Sequence, residues 1–174
     1  NIIEKVFHFK DDKLSVDKGP FKLKIINSPQ TVGRCTPFFG NMGAGVPNDP
    51  LDQRKDDAHS TCFDSGVLKQ NLVILGAPVV TLDLASDQSN AFVCVRLNEI
   101  RANGSSLQVT YGVLNLTHRN SHKNIEPLIP GKRYKVEVKL NDNNININIP
   151  CLFEFTNADC HLNDNEKNTP TTGS

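Results

Sequence analysis

The sequence predicts an all-β protein, an antiparallel β-sandwich of the jelly-roll, galactose-binding-like type. Apolar and polar residues alternate with a period of two in many places, whereas long segments with helical periodicity are few. Turn signals such as Asn103-Gly104 and Pro130-Gly131 separate the alternating segments. Short strands joined by turns are typical of a sandwich, and a jelly roll is its most economical version. No fixed repeat indicates a propeller or a solenoid.

The clearest strand pattern lies at Arg133–Leu140, where every second residue from Tyr134 is apolar and the residues between are charged. This predicts an antiparallel strand with one buried face. In Ala91–Ile100 the side chains of Phe92 and Cys94 point away from the apolar face, which predicts a strand buried on both sides at its start. The other predicted strands are Lys5–Lys10, Lys13–Val16, Phe21–Ile26, Asn71–Leu75, Pro78–Ala85, Leu107–Leu116 and Leu152–Phe155.

The remaining segments carry weaker patterns. Asn27–Pro50 is rich in Gly, Pro and Asn and is predicted to be a long loop, of a kind that is usually functional or packed over another surface. Leu51–Ser60 is charged and has room for one helical turn. Asn141–Asn148 fits either a final strand or a low-complexity linker. We expect one domain over residues 1–156 and a polar, disordered tail over 157–174.

Charge and cysteine content exclude several classes of function. Lys and Arg balance Asp and Glu at 19 each, so no electrostatic argument favours nucleic acid or an anionic membrane as a partner. No apolar run is long enough to cross a bilayer, and the first ten residues lack a signal pattern. Five widely spaced cysteines indicate free thiols and a cytoplasmic location, although Cys151 and Cys160 would be able to pair under oxidising conditions. No metal or cofactor site is predicted.

Four blocks of the sequence, in this order, are similar to one family of enzymes. They are Thr31–Gly45, Asp49–Ser65, Leu75–Ala85, and Val109–Arg119 continued by Glu126–Asn141. The second block holds the pattern DQR followed by two aspartates, and the fourth holds VTYGVLNLTHR and PGKRYKVEVKLN. Together they resemble the C-terminal β-sandwich domain of the X-Pro dipeptidyl-peptidase and cocaine-esterase-like (CocE/NonD) serine hydrolases, over about residues 31–140. After Asn141 the chain departs from the pattern of that family.

The resemblance implies a parent enzyme with an α/β-hydrolase domain, a helical cap and this jelly roll. In that family the hydrolase domain carries the Ser-His-Asp triad, and this chain has no G-x-S-x-G nucleophile motif. We therefore expect no catalytic residue here and no activity from this chain alone. The expected role is to pack on the catalytic domain, shape one wall of its site and, as an open question, form a homodimer. A free-standing carbohydrate- or protein-binding module is the alternative, although the chain lacks Trp and has only two Tyr for stacking on a sugar.

Six residues are candidates for the interface with the catalytic domain: Phe38, Phe39, Asp52, Arg54, Asp56 and Asp57. For the charged residues, the alternatives are an interdomain ion-pair network, a solvated loop or, less favoured, a calcium site whose spacing does not match an EF-hand. The two phenylalanines either contact the hydrolase domain or plug the base of the sandwich. His59, His118 and His122 are the histidines nearest to the matching blocks, and a histidine can serve as a general base or a metal ligand. No recognisable motif places a Cys or Ser nucleophile beside any of them, and the simplest interpretation of His118 is a polar residue where a strand meets a loop.

Overall fold

The computed structural model describes residues 5–19, 23–29, 31–33, 35, 52–68, 72–147 and 151–156, with the backbone alone for 143–147 and 151–156. These residues contain ten strands and two short helices, which are joined by turns and loops. The strands are β1 (His8–Lys10), β2 (Lys13–Ser15), β3 (Thr61–Asp64), β4 (Leu72–Gly76), β5 (Val79–Ala85), β6 (Phe92–Ile100), β7 (Ser106–Asn115), β8 (Arg133–Lys139), β9 (Asn143–Ile147) and β10 (Cys151–Thr156). The helices are α1 (Arg54–Asp57) and a 3₁₀ turn at Leu116–His118.

The strands form one large sheet and two strand pairs. The large sheet has the order β1-β2-β3-β10-β6-β7, and the pairs are β4-β9 and β5-β8. Every pairing is antiparallel except the single parallel pair that joins Lys13 of β2 to Asp64 of β3. The predicted all-β antiparallel sandwich is thereby confirmed.

The core lies between the large sheet and the β5-β8 pair. From β6 it takes Val93, Val95 and Leu97, and from β8 it takes Val136 and Val138, all less than 5% exposed. Alternation places these residues on the inner faces of their strands, since side chains one residue apart point to opposite sides. The pattern predicted for Arg133–Leu140 is confirmed, because Lys135, Glu137 and Lys139 are exposed.

Two glycines are required by the backbone. At Gly112 on β7, an added Cβ would lie 2.4 Å from the carbonyl oxygen of Lys139, so only glycine allows β7 to approach the end of β8 this closely. At Gly104 the backbone has φ of 80° in the hairpin between β6 and β7, a conformation that L-residues with a side chain rarely adopt. The turn predicted at Asn103-Gly104 is confirmed.

The structure corrects two predictions and adds one strand that the sequence analysis missed. Leu23–Ile26 has no strand partner among the described residues, and Leu23 and Ile25 are both 56% exposed. β3 was not predicted, because only one of its four side chains, Phe63, is buried and a short segment of this kind shows no clear alternation. β6 is buried on both sides in its middle rather than at its start, since Phe92 is 39% exposed while Arg96 and Asn98 are buried.

At the C-terminal end, the choice between strand and linker is settled in favour of strand. Asn143–Ile147 forms β9 against β4, and Cys151–Thr156 forms β10 in the middle of the large sheet, between β3 and β6. In the sequence, the asparagines of this segment favour a linker, and the alternating Ile145 and Ile147 favour a strand. The strand predicted at Leu152–Phe155 lies within β10. The predicted tail, residues 157–174, lies outside the described residues.

Candidate functional site

The outer face of β6, turned away from the core, carries two buried polar side chains. Arg96 is 2% exposed and Asn98 is 0% exposed. They are covered by residues 52–60, which include α1 and lie across this face, and we refer to residues 52–60 as the covering segment. Gln53 N donates to the Ser106 carbonyl at 2.8 Å, and Ser106 N donates to Asp52 Oδ1 at 3.2 Å. These two bonds attach the beginning of the covering segment to the first residue of β7.

Arg96 is the centre of the polar network beneath the covering segment. Its Nη1 donates to Gln53 Oε1 at 2.7 Å and lies 3.5 Å from Asp56 Oδ2. Its Nη2 lies 3.4 Å from Asp57 Oδ1 and 3.2 Å from Ser60 Oγ. A guanidinium suits this position because its planar fork donates in several directions at once, which the ammonium of Lys does not. One buried cation therefore holds both aspartates of α1 against the sheet.

Asn98 and Ser106 extend the network along the sheet. Asn98 Nδ2 donates to Asp57 Oδ1 at 3.3 Å and to Ser106 Oγ at 3.2 Å. Asp57 is therefore held by side chains from β6, and its carboxylate is 12% exposed. Within the covering segment, Ser60 Oγ donates to the Asp56 carbonyl at 2.7 Å and closes the single helical turn. Since buried polar groups need partners, the covering segment fits this face in one position only.

Asp56 also fixes the chain that precedes residues 36–51. Its Oδ2 accepts from Gly33 N at 3.0 Å and from Cys35 N at 3.1 Å, and Gln53 Nε2 donates to the Cys35 carbonyl at 2.7 Å. Burial, with a further contribution from the Asp56 carboxylate, raises the pKa of the Cys35 thiol above its ordinary value. Cys35 is therefore a neutral, unreactive thiol at neutral pH.

Asp52 and Arg54 form a second, exposed pair on top of the covering segment. Arg54 Nε lies 2.8 Å from Asp52 Oδ2, and an Arg54 terminal nitrogen lies 2.6 Å from the same oxygen. The side chain of Arg54 is 64% exposed. Hydrogen bonding from Arg54 is the main cause that lowers the pKa of Asp52 to about 2. The pair thus presents an ionised carboxylate and a guanidinium to solvent.

The structure separates the predicted charged residues into two groups. Arg54 pairs with a carboxylate of its own segment, that of Asp52. Asp56 and Asp57 turn inward to Arg96. Phe38 and Phe39 lie outside the described residues. Among the residues that the structure does describe, no three His, Cys, Asp or Glu side chains are grouped as metal ligands.

The sequence analysis missed the partners of the two aspartates. On β6 these partners are Arg96 and Asn98, which are bonded in turn to Gln53 and Ser106. A signal for the first two was present, since an arginine and an asparagine alternate with valine and leucine in the strongest buried strand of the chain. Charged residues are almost never fully buried unless they are paired. That rule pointed to an oppositely charged segment lying over β6.

The comparisons with known proteins agree with this architecture. The model of the X-Pro dipeptidyl-peptidase C-terminal non-catalytic domain family matches residues 9–147. The chain belongs to this family. The match extends beyond the resemblance at residues 31–140 and includes β2, β9 and all of β1 except its first residue. No curated protein sequence matches the chain.

Similar solved structures show the same fold in larger hydrolases. An aminopeptidase from the marine sediment archaeon Thaumarchaeota archaeon superposes with a TM-score of 0.70 at 16% identity, covering 88% of this chain and 28% of that one. An α-amino acid ester hydrolase gives 0.57 at 22% identity, covering 64% and 20%. A CocE/NonD family hydrolase from Staphylococcus aureus gives 0.53 at 13% identity, covering 59% and 23%. The chain thus spans less than a third of each of these proteins.

No helix within the described part of the chain is long and apolar enough to cross a membrane.

Proposed function

We propose that this chain is the non-catalytic domain of a serine hydrolase of the X-Pro dipeptidyl-peptidase or acyl-esterase type. It packs on an α/β-hydrolase domain and shapes one wall of that domain's site. The observation that carries the proposal is the family match over residues 9–147, which is to a non-catalytic domain of X-Pro dipeptidyl-peptidase. The parent cleaves an ester or amide bond through an acyl-enzyme whose Ser, His and Asp lie outside this chain.

The docking surface that we propose comprises the covering segment and the residues just before it. Asp52 and Arg54 are at its exposed surface, with Phe38 and Phe39 as further contacts. Two observations support this assignment. The polar network fixes Cys35 and Asp52, the described residues on either side of residues 36–51: Cys35 is bonded to the covering segment and Asp52 to β7. An exposed Asp–Arg pair also gives a partner both a donor and an acceptor to recognise.

We propose that Asp56 and Asp57 contribute to this docking surface indirectly, from the side of the covering segment that faces the sheet. Their carboxylates are tied to Arg96 and are mostly buried, so they position the covering segment. We propose that they affect docking through the place and rigidity of Arg54. An interface held in its bound conformation before association loses less entropy when it binds.

The catalytic part of the proposal is tested by activity. The chain alone is incubated with an acyl-ester substrate, an X-Pro-nitroanilide and a fluorophosphonate that labels active serines. We expect no turnover and no labelled serine, with a catalytic serine hydrolase as the positive control. Labelling of any serine in this chain would overturn the assignment to a non-catalytic domain.

The docking part is tested by binding in trans to the separately produced catalytic domain of the parent protein. We expect Arg54→Glu to weaken the affinity about 10-fold or more, since a charge reversal at an interface places like charges together. Arg133→Glu is the matched control, because Arg133 also pairs with an aspartate, Asp83, at an exposed site of the other layer. Equal weakening by both variants, or by neither, would show that the covering segment is not the docking surface.

Three further assignments accompany this function. A cytoplasmic location is supported by Cys35, Cys62 and Cys94, the cysteines whose side chains the structure describes, because none of the three is in a disulfide bond. A single domain over residues 1–156 is supported by β10, which lies inside the large sheet and joins β3 to β6. Without β10, the β1-β2-β3 part of the sheet would be separated from β6 and β7. A homodimer stays a prediction, which sedimentation velocity would test.

A further inference from the structure

The loop between β7 and β8 brings two histidine rings together. His118 ends the 3₁₀ turn and His122 follows four residues later. Their Nδ1 atoms lie 3.3 Å apart, and the ring centroids lie 5.5 Å apart at an interplanar angle of 48°. His118 is partly exposed and His122 is exposed, so the space between the two nitrogens is open to solvent and ions. Neither ring has a role in the proposed function.

The loop that carries the rings is braced by its own hydrogen bonds. Asn115 Oδ1 accepts from Thr117 N at 3.0 Å and from Thr117 Oγ1 at 2.8 Å. Arg119 Nη1 donates to the Leu116 carbonyl at 3.0 Å and to the Glu126 carbonyl at 2.7 Å. The arrangement of the two rings therefore belongs to an ordered loop, and a ligand that uses both rings loses little entropy in ordering it.

The cation that follows His118 in the sequence is already paired. Arg119 Nη2 lies 2.9 Å from Glu126 Oε2, and the guanidinium stacks 4.4 Å from the ring centroid of Tyr134. Both contacts hold the charge of Arg119 on the side of the loop that faces β8. The positive charge next to His118 is thus largely compensated, which lowers its repulsion of a second cation at the rings.

The spacing of the two Nδ1 atoms fits one class of ligand. Two imidazole nitrogens that bind one zinc ion tetrahedrally at about 2.0–2.1 Å are about 3.3–3.4 Å apart. Two lone pairs that face each other at 3.3 Å need either a proton or a metal ion between them. We propose that His118 and His122 bind one divalent ion of the Zn²⁺, Ni²⁺ or Cu²⁺ class through their Nδ1 atoms.

The chemistry of binding is a change of tautomer. Without metal, one ring donates its Nδ1–H to the Nδ1 of the other. With metal, that proton moves to Nε2, both Nδ1 lone pairs coordinate the ion and water completes the coordination shell. Imidazole is a preferred ligand of these ions, and the shell completed by water leaves positions that a small anionic or imidazole ligand can take.

The test is a Zn²⁺ titration of the intact chain followed by ¹⁵N NMR of the histidine rings. We expect the Nδ1 signals of His118 and His122 to shift and both rings to become Nε2–H tautomers, with no such change for His8 and His59. By calorimetry, His122→Ala should weaken Zn²⁺ binding at least 10-fold, and His59→Ala, the exposed control, should leave it unchanged. A thermal melt of each variant confirms folding, and His122→Gln provides a second variant that keeps a polar side chain.

The opposite results overturn the proposal. If Zn²⁺ leaves the two Nδ1 signals in place, the rings are joined by a hydrogen bond only. If His122→Ala and His122→Gln bind Zn²⁺ as tightly as the unchanged chain, the ion is held elsewhere.

Discussion

The two faces of β6 are equally shielded from solvent, but by different kinds of contact. On the inner face, Val95 and Leu97 are 0% exposed and pack against apolar side chains. On the outer face, Arg96 and Asn98 are 2% and 0% exposed and are surrounded by carboxylates, amides and hydroxyls. Consecutive residues of one strand thus belong to an apolar core and to a polar network.

The difference lies in how strongly each face specifies its partner. Apolar contacts are non-directional, so the inner face accepts any well-packed apolar surface. A buried guanidinium must donate to acceptors at hydrogen-bond distance, and a buried charge without a partner is strongly destabilising. The outer face therefore selects the covering segment, with Asp56 and Asp57, in a single position. This specificity is what an interdomain surface needs if it is to present Arg54 in a constant place.

The largest effect is expected for Arg96→Met, which keeps the length of the side chain and removes its charge. Asp56 and Asp57 would lose their common partner while still turned into the sheet. Breaking a buried ion pair from one side costs about 3–5 kcal/mol, and we expect the free energy of unfolding to fall by that amount. Urea denaturation measures it, and amide hydrogen exchange in residues 52–60 should rise at the same time.

Two comparisons make that result interpretable. Arg133→Met removes an exposed pair and should change stability by less than about 0.5 kcal/mol. Combining Arg96→Met with Asp56→Asn and Asp57→Asn should cost less than the sum of the separate changes, since all three act on one network. A loss below about 1 kcal/mol for Arg96→Met would mean that the network contributes little and that the contrast between the two faces is wrong.

The second prediction concerns the inner face, where Leu97→Ala leaves a cavity. Such changes cost about 2–5 kcal/mol, depending on how far the surroundings relax. Leu75→Ala is the control, because Leu75 is 58% exposed and should have almost no effect. Unlike Arg96→Met, Leu97→Ala should lower global stability without selectively raising exchange in the covering segment. If exchange there rises selectively, the two faces are coupled rather than independent.

The third prediction tests how tightly the two layers approach each other. Gly112→Ala would place a Cβ 2.4 Å from the Lys139 carbonyl oxygen and 3.0 Å from the Leu140 Cα, both of them backbone atoms. Backbone yields less readily than a side chain, so we expect a loss of about 1–3 kcal/mol in thermal or urea unfolding. Val113→Ala, at the exposed neighbouring position, should stay within about 0.5 kcal/mol. Equal stabilities would mean that β8 can move away from β7.

These comparisons also show what the sequence was able to reveal. Alternation identified β5, β6, β7 and β8, because each has one apolar face long enough to give a periodic signal. It failed for β3, which has a single buried residue, and for Leu23–Ile26, whose apolar residues remain exposed. β9 stayed undecided because its asparagines match a linker and its isoleucines match a strand.

For the candidate site, the sequence revealed the charged segment but not its orientation. The side of α1 on which Asp56 and Asp57 lie is set by Arg96, more than 35 residues further along the chain. No local pattern contains that information, since it arises only when β6 and the covering segment meet. The Asp52–Arg54 pair could have been predicted from the sequence, because residues two apart in a turn lie close together.

The smallest effect, and the most local, is expected at that exposed pair. Hydrogen bonding from Arg54 lowers the pKa of Asp52 from 3.8 to about 2. A carboxyl whose pKa is lower in the folded state stabilises the fold when ionised. Its contribution is therefore complete above about pH 4, and it is lost as the pH falls from there through about 2.

Arg54→Ala should raise the pKa of Asp52 part of the way towards 3.8, as measured by NMR titration of its carboxyl carbon. Recovery is partial because Ser106 N and the backbone N–H of residue 54 still donate to Asp52 Oδ1. Stability at pH 7 should change less than in any of the preceding variants, since solvent screens an exposed pair. Arg133→Ala should leave the pKa of Asp52 in place. If the pKa of Asp52 stays near 2 in Arg54→Ala, the two backbone donors suffice to hold the carboxylate, and Arg54 is then free to bind a partner.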